Sequence, residues 1–330
     1  MKRNIKLCAL AILLCAAMTL PLAGCPKALM PSILDYSDDD FATLCGKIFD
    51  KDYKRVTAED MASIESFSIL TYGEDNTVTV GFTGFIDAPT DKNQKTVDIT
   101  GLVFDNFNDF VYLTGLREFS STYTTNNDYS FLANCKELEK IMIAGNSECR
   151  DYEFLRVLPK VHTFSLESGV IDDISVISSM TNLKNLSLTS VTTKIDPDYL
   201  MSTEGITIEE LGYDEHAILE ISFLEGLTNL EKLTISSASV RELDPLAGLQ
   251  KLTYLDLSYN AIDDITPIAQ LKNLEYLDLT QSIISDVSPL ASLDKDKIQR
   301  IILDLCYSID DWSPLDAFEP SKIQGRNAQY

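Results

Sequence analysis

The side chains able to do covalent chemistry are few in this chain, and they do not converge. There are two histidines, His162 and His216. They fall more than two repeat units apart in the periodic pattern described below, roughly 10 Å or more at about 4.8 Å per strand. The sequence contains no H-E-x-x-H, no G-x-S-x-G and no glycine-rich phosphate loop. After the first 24 residues the cysteines are Cys25, Cys45, Cys135, Cys149 and Cys306, with no C-x-x-C pair to hold zinc. Cys45, Cys135 and Cys306 sit at apolar or inward positions and read as small buried hydrophobes. A Cys135–Cys149 bridge stays open, because the two fall in adjacent units, although at different positions within them. The pairs Asp263-Asp264 and Asp310-Asp311 lack the D-x-D-x-D-G spacing of a calcium loop and read as solvated turns. The sequence therefore predicts a protein that is not an enzyme and carries no cofactor and no metal.

What remains is chemistry without bonds made or broken. Tyr254, Asp256 and Tyr259 are followed, 22 residues on, by Tyr276 and Asp278, and then by Arg300. Tyrosine offers large amphipathic contact area with little rotamer entropy to lose, and carboxylates between tyrosines favour a partner with a basic patch. Such residues work together only if adjacent strands bring Tyr254 and Tyr276 about 5 Å apart. Stacked tyrosines can equally serve only to brace a sheet.

The elements that must position them are written in the same stretch. Leu252, Leu255, Leu257, Asn260, Ile262, Ile265, Pro267, Ile268 and Leu271 recur 22 residues later as Leu274, Leu277, Leu279, Ser282, Ile284, Val287, Pro289, Leu290 and Leu293. This is the L-x-x-L-x-L-x-x-N pattern of leucine-rich repeats. Each unit gives a short strand with two inward apolar residues, turns, and returns along the far side. One coil cannot bury its own apolar face, so coils stack. Unit starts fall at Gln94, Leu116, Leu138, Val161, Leu183, Ile208, Leu230, Leu252, Leu274 and Ile298, spaced 22 to 25 residues apart. The expected fold is an α/β solenoid, a horseshoe of about ten coils with a parallel concave sheet and a helical N-terminal cap.

The returns Asp244-Pro245, Thr266-Pro267, Ser288-Pro289 and Ser313-Pro314 share one logic. A side-chain oxygen caps a helical turn whose first position, needing no donor, is proline. The ladder position after each strand holds Leu102, Thr124, Asn146, Gly169, Val191, His216, Ala238, Asn260, Ser282 and Cys306, so an asparagine ladder is patchy. His216 there reads as a hydrogen-bonder. Over about residues 38–318 the chain resembles the internalin-type bacterial repeat proteins, most tightly after Leu230. The resemblance implies a binding module whose outward strand residues meet a protein ligand. The immunoglobulin-like domain and cell-wall anchor that usually follow in internalins have no counterpart after Phe318.

The N-terminal region reads in segments. Lys2, Arg3 and Lys6 precede an apolar run, Leu7 to Leu22, that is short for a membrane span. Leu22-Ala23-Gly24-Cys25 resembles the bacterial lipobox, which implies cleavage before Cys25 and lipidation of its thiol. Residues 25–36 form a tether reaching about 40 Å at about 3.5 Å per residue. Residues 37–69 form the helical cap, with Ser37/Asp40 and Thr57/Asp60 as capping pairs and Ile64, Phe67 and Ile69 as a first strand. Residues 70–93 form a β-rich insert around the alternating Thr77–Phe82. The repeats occupy 94–318, and 319–330 form a C-terminal tail.

Net charge is −24, and −27 without the first 24 residues, which hold three basic and no acidic side chains. Such a surface repels nucleic acid and anionic lipid. The reading is a monomeric lipoprotein on the extracytoplasmic face of a bacterial cell membrane that recognises a protein through its concave face. An envelope-organising lipoprotein without a dedicated ligand, or a polysaccharide-binding one, is the alternative.

Overall fold

The computed structural model describes residues 34–193 and 220–326, apart from residues 73, 74, 88, 105, 106, 125, 127 and 147. The lipobox with Cys25, the coil expected at Ile208, and His216 lie outside the described residues.

The N-terminal cap forms as two helices. In α1 (Asp39–Phe49) Phe41, Leu44, Cys45 and Ile48 make a single buried stripe. Its N-cap is Asp38 rather than the expected Ser37: the Asp38 carboxylate accepts from Asp40 N at 2.8 Å and Phe41 N at 2.9 Å. The buried Asp109 carboxylate in turn accepts from the backbone N–H groups of Ser37 and Asp38, fastening the chain before α1 to the first coil. The short α2 (Ala58–Ala62) starts with the expected capping box of Thr57 and Asp60.

A twelve-stranded sheet follows, and ten of its strands run parallel. The first parallel strand is β1 (Ile64–Tyr72). The 70–93 stretch supplies β2 (Asp75–Phe82), antiparallel to β1. Gln94 does not open a coil: β3 (Gln94–Asp98) pairs antiparallel with β2 and edges the sheet. The first return turn, Asn108–Tyr112, thus belongs to the coil begun by β1, and Leu102 holds no ladder position.

The regular coils contribute β4 (Glu118–Thr122), β5 (Lys140–Ala144), β6 (Thr163–Glu167) and β8 (Asn185–Thr189). A two-stranded side sheet of β7 (Val170–Ile171) and β9 (Thr192–Thr193) accompanies them. Then come β10 (Lys232–Ser236), β11 (Tyr254–Asp256), β12 (Tyr276–Asp278) and β13 (Arg300–Ile302). β8 pairs directly with β10, Asn185 opposite Lys232, so no strand from the expected Ile208 coil intervenes. Past Phe318, β14 (Ile323–Gln324) adds a further parallel strand against β13.

The core is one apolar cluster running from Leu34 to Ile323. Cys45, Cys135, Cys149 and Cys306 are buried free thiols, so the Cys135–Cys149 bridge is not formed. Burial pushes the first two up to about 12 and the last two up to about 11, far from thiolate chemistry at neutral pH.

The returns are 3-10 turns with proline at the start in the last four coils. In three of these four coils the capping oxygen comes from an aspartate two residues upstream rather than from the expected residue before proline. Asp264 accepts from Thr266 N at 2.8 Å, Asp286 from Ser288 N at 2.8 Å and Asp311 from Ser313 N at 2.9 Å. Asp128, Asp151 and Asp173 do the same in proline-free coils. A second regularity closes each strand. Tyr123, Gly145, Ser168, Ser190, Ser237, Tyr259, Gln281 and Leu305 all have φ between 50° and 64°, and each immediately precedes a ladder position. This left-handed step aims the next side chain inward, at a cost of roughly 1 kcal/mol where the residue is not glycine.

Candidate functional site

Strand alternation sends Leu255 and Leu277 into the core and leaves Tyr254, Asp256, Tyr276 and Asp278 on the opposite face. The pairing places Tyr254 opposite Tyr276 and Asp256 opposite Asp278. The two rings stack with centroids 4.5 Å apart and planes 3° from parallel, both half-buried. The Tyr276 hydroxyl donates to Asp278 Oδ2 at 3.3 Å. Burial, then the Asp278 charge, pushes the Tyr276 hydroxyl up to about 12; burial and then Asp256 raise Tyr254. Both tyrosines stay neutral donors at any physiological pH.

The two aspartates also shape the backbone. Asp256 accepts from Ser258 N at 3.0 Å, and Asp278 from Thr280 N at 2.9 Å and Thr280 Oγ1 at 2.6 Å. These local turns end β11 and β12 after three residues, where β4, β5, β6, β8 and β10 run five. Arg300 lies opposite Tyr276 in the same row, and its guanidinium donates to the side chain of Gln324 on β14. Tyr259 stands apart from the stack at the strand end, exposed and left-handed.

The row extends one coil further than the sequence reading carried it. Lys232 lies opposite Tyr254, exposed and in no ion pair among the described residues. Next to it the face dips into a depression of about 400 Å³ lined by Thr163, Ser165, Asn185, Ser187, Thr234 and the Tyr254 ring. Small hydroxyl residues make its floor. The sequence signal was present: Thr163, Asn185, Lys232 and Tyr254 share one register position.

The remaining titratable groups nearby make surface ion pairs. Arg117 binds Glu139 through Nε at 2.9 Å and Nη2 at 3.3 Å, which holds the Glu139 carboxyl below its ordinary range. His162 Nε2 lies 3.8 Å from Glu139 and its Nδ1 3.1 Å from Thr163 Oγ1, so it belongs to this row. Among the described residues no group of three or more His, Cys, Asp or Glu side chains is placed to hold a metal ion.

Ladder positions are satisfied one by one. Asn260 Oδ1 accepts from Ala238 N and Val240 N, and its Nδ2 donates to Ile235 O and Leu257 O. Asn146 donates to the Tyr129 hydroxyl, which also meets Ser121 and Thr124. Cys306 Sγ reaches Leu279 O at 3.1 Å.

Comparison with known proteins agrees with this geometry. Residues 250–292 match a family model of leucine-rich repeats, two copies. The chain is a leucine-rich-repeat solenoid. An internalin C2 from Listeria monocytogenes is similar, with 25% identity over 78% of this chain and 91% of that one, at a TM-score of 0.54. InlJ from the same organism, whose functional domain includes a cysteine ladder, is 17% identical over 83% of this chain and 54% of that one, at 0.48. No curated protein matches the sequence.

Proposed function

We propose that this leucine-rich-repeat protein is a lipid-anchored lipoprotein on the extracytoplasmic face of a bacterial membrane. It recognises a protein non-covalently through the outward face of its parallel sheet and works as a monomer. The observation that carries the reading is the Tyr254–Tyr276 stack: two amphipathic rings fixed in register, beside two carboxylates, on a face otherwise lined mostly by serine and threonine. Rings already held in place lose little entropy on binding. Asp256 and Asp278 favour a basic patch on the partner, and Lys232 an acidic group beside it. Lipidation at Cys25 rests on the lipobox resemblance and keeps the domain close to the bilayer.

The test is affinity capture from envelope extract by the full chain, with Tyr254→Ala and Tyr276→Ala chains in parallel. Saturable capture of one protein by the parent, weakened by about 1–2 kcal/mol in each variant at an unchanged melting temperature, supports the reading. Unchanged capture with reduced melting shows that the tyrosines only brace the sheet. Capture of glycan alone supports a polysaccharide-binding lipoprotein, and capture of nothing an envelope-organising one.

A further inference from the structure

We propose that the rim at the C-terminal ends of the last strands docks a basic amphipathic segment of the protein partner. The proposal rests on the recognition reading above and adds a second contact surface to it, with a stated chemistry. Four of its side chains are large, apolar and exposed: Tyr259 51%, Ile283 49%, Leu305 40% and Tyr307 78%. Elsewhere Tyr53, Val103, Met142 and Val157 are exposed, which is ordinary for a soluble surface, and exposed Tyr72 and Tyr123 already cover each other with ring centroids 4.8 Å apart. Here they adjoin. Tyr259 N donates to Thr280 O, Gln281 N to Asp304 O and Ile283 N to Ile262 O, so the rim segments of neighbouring coils lie side by side.

The backbone fixes these side chains outward. Tyr259 and Leu305 occupy the left-handed step, and Ile283 and Tyr307 each follow a buried ladder residue, Ser282 and Cys306. Serine or glycine fills that step at Gly145, Ser168, Ser190 and Ser237, and at Tyr123 the ring rests on Tyr72. Tyrosine and leucine are poor left-handed residues, so neither backbone preference nor burial accounts for them here.

Charge selects the occupant. Exposed Asp263, Asp264, Asp286, Asp310 and Asp311 follow Tyr259, Ile283 and Tyr307 by three to five residues along the chain, and none is in an ion pair among the described residues. Asp264, Asp286 and Asp311 cap return turns, but Asp263 and Asp310 cap none among the described residues. A second copy of this chain, at net charge −24, brings acid against acid, and an anionic bilayer does the same. Apolar side chains flanked by unpaired carboxylates fit a segment with leucine-like residues on one face and arginine or lysine beside them. Tyr259 joins this rim to the Tyr254–Tyr276 face, so one partner can cover both.

The test uses the full chain and three synthetic peptides. One is amphipathic with leucine and tryptophan on one face and arginine on the other, one is its scrambled sequence, and one carries glutamate for arginine. Binding is measured at physiological salt, with hydrogen exchange locating the contact and melting checking the fold. The amphipathic basic peptide should bind roughly tenfold tighter than the scrambled one and protect residues 259–264, 281–286 and 305–311. Ile283→Ser with Tyr307→Ser should weaken it by roughly tenfold. Asp263→Asn with Asp310→Asn should flatten its salt dependence, both at unchanged melting temperature. Equal binding of the scrambled peptide, or unchanged affinity in the rim variants, overturns the proposal. Loss only in Tyr254→Ala with Tyr276→Ala leaves the sheet face standing and removes the rim; loss in neither set removes both.

Discussion

Asn260 and Ser282 occupy the same position in adjacent coils and differ in what they satisfy. Asn260 meets two backbone donors and three carbonyls, all buried, while Ser282 Oγ is buried without a hydrogen-bond partner among the described residues. Stranding such groups costs about 1–3 kcal/mol each, so Asn260→Ala should lose about 2–4 kcal/mol in chemical denaturation. Ser282→Ala should stay within about 0.5 kcal/mol of the parent or exceed it. Tyr276 adds a pH signature. Its hydroxyl titrates near 12 in the fold against 10.0 ordinarily, so the native state holds the proton longer. That stability is complete below pH 10 and lost as pH rises toward 12. Melting curves across this window should fall more steeply for the parent than for Tyr276→Phe. At this scale the tyrosine row was legible because an unbroken 22-residue spacing fixes which residues face each other. Lys232 was missed because a row read forward from Leu252 stops short of it. The capping aspartates were not legible because the turn begins two residues after its cap, which leaves the residue before proline as the nearer side-chain oxygen.

At the scale of elements, Leu255 and Leu277 fill equivalent core positions opposite each other. Either one cut to alanine should cost about 2–5 kcal/mol. Coils touch mainly their neighbours, so hydrogen exchange should rise in β10 to β13 and little in the cap. Uniform loss would contradict that picture of the array. The cap has its own weak point: a Cβ on Gly115 would meet Ala62 O at 2.1 Å, where the first coil passes beneath α2. Gly115→Ala should therefore destabilise by about 1–3 kcal/mol, with exchange rising first over α2 and β1. Periodicity found the repeated strands but does not carry strand direction. Gln94 fits the spacing and the alternation, yet the hairpin after β1 claims it in antiparallel pairing, which puts its backbone bonds to the nearest strand in sequence. The β8–β10 pairing was hidden for a similar reason, since a regular interval can be continued between two strands that pair directly with each other.

Over the whole molecule, part of the acidic excess has a local explanation. Asp128, Asp151, Asp173, Asp264, Asp286 and Asp311 end strand-to-turn connections by accepting a backbone N–H. Their charge accumulates along one edge of the solenoid because the repeat does. A partner drawn to that field should associate faster at low salt, and Asp256→Asn with Asp278→Asn should lower the salt-sensitive on-rate while leaving dissociation nearly unchanged. The proposed lipid anchor belongs to the same scale: Cys25→Ala should abolish acylation and release the protein from membrane fractions, and intact mass of the native chain checks it.

The central claim is that the outward sheet face and its rim, rather than the return side, meet the partner. Site-specific photocrosslinking in living cells asks this directly. A photoreactive phenylalanine replaces Tyr276 or Ile283 on one side, and exposed Gln270 or Ser292 on the return side. The account predicts one discrete protein adduct from Tyr276 and Ile283 and none from Gln270 or Ser292. Adducts from the return positions alone, or equally from all four, would contradict it.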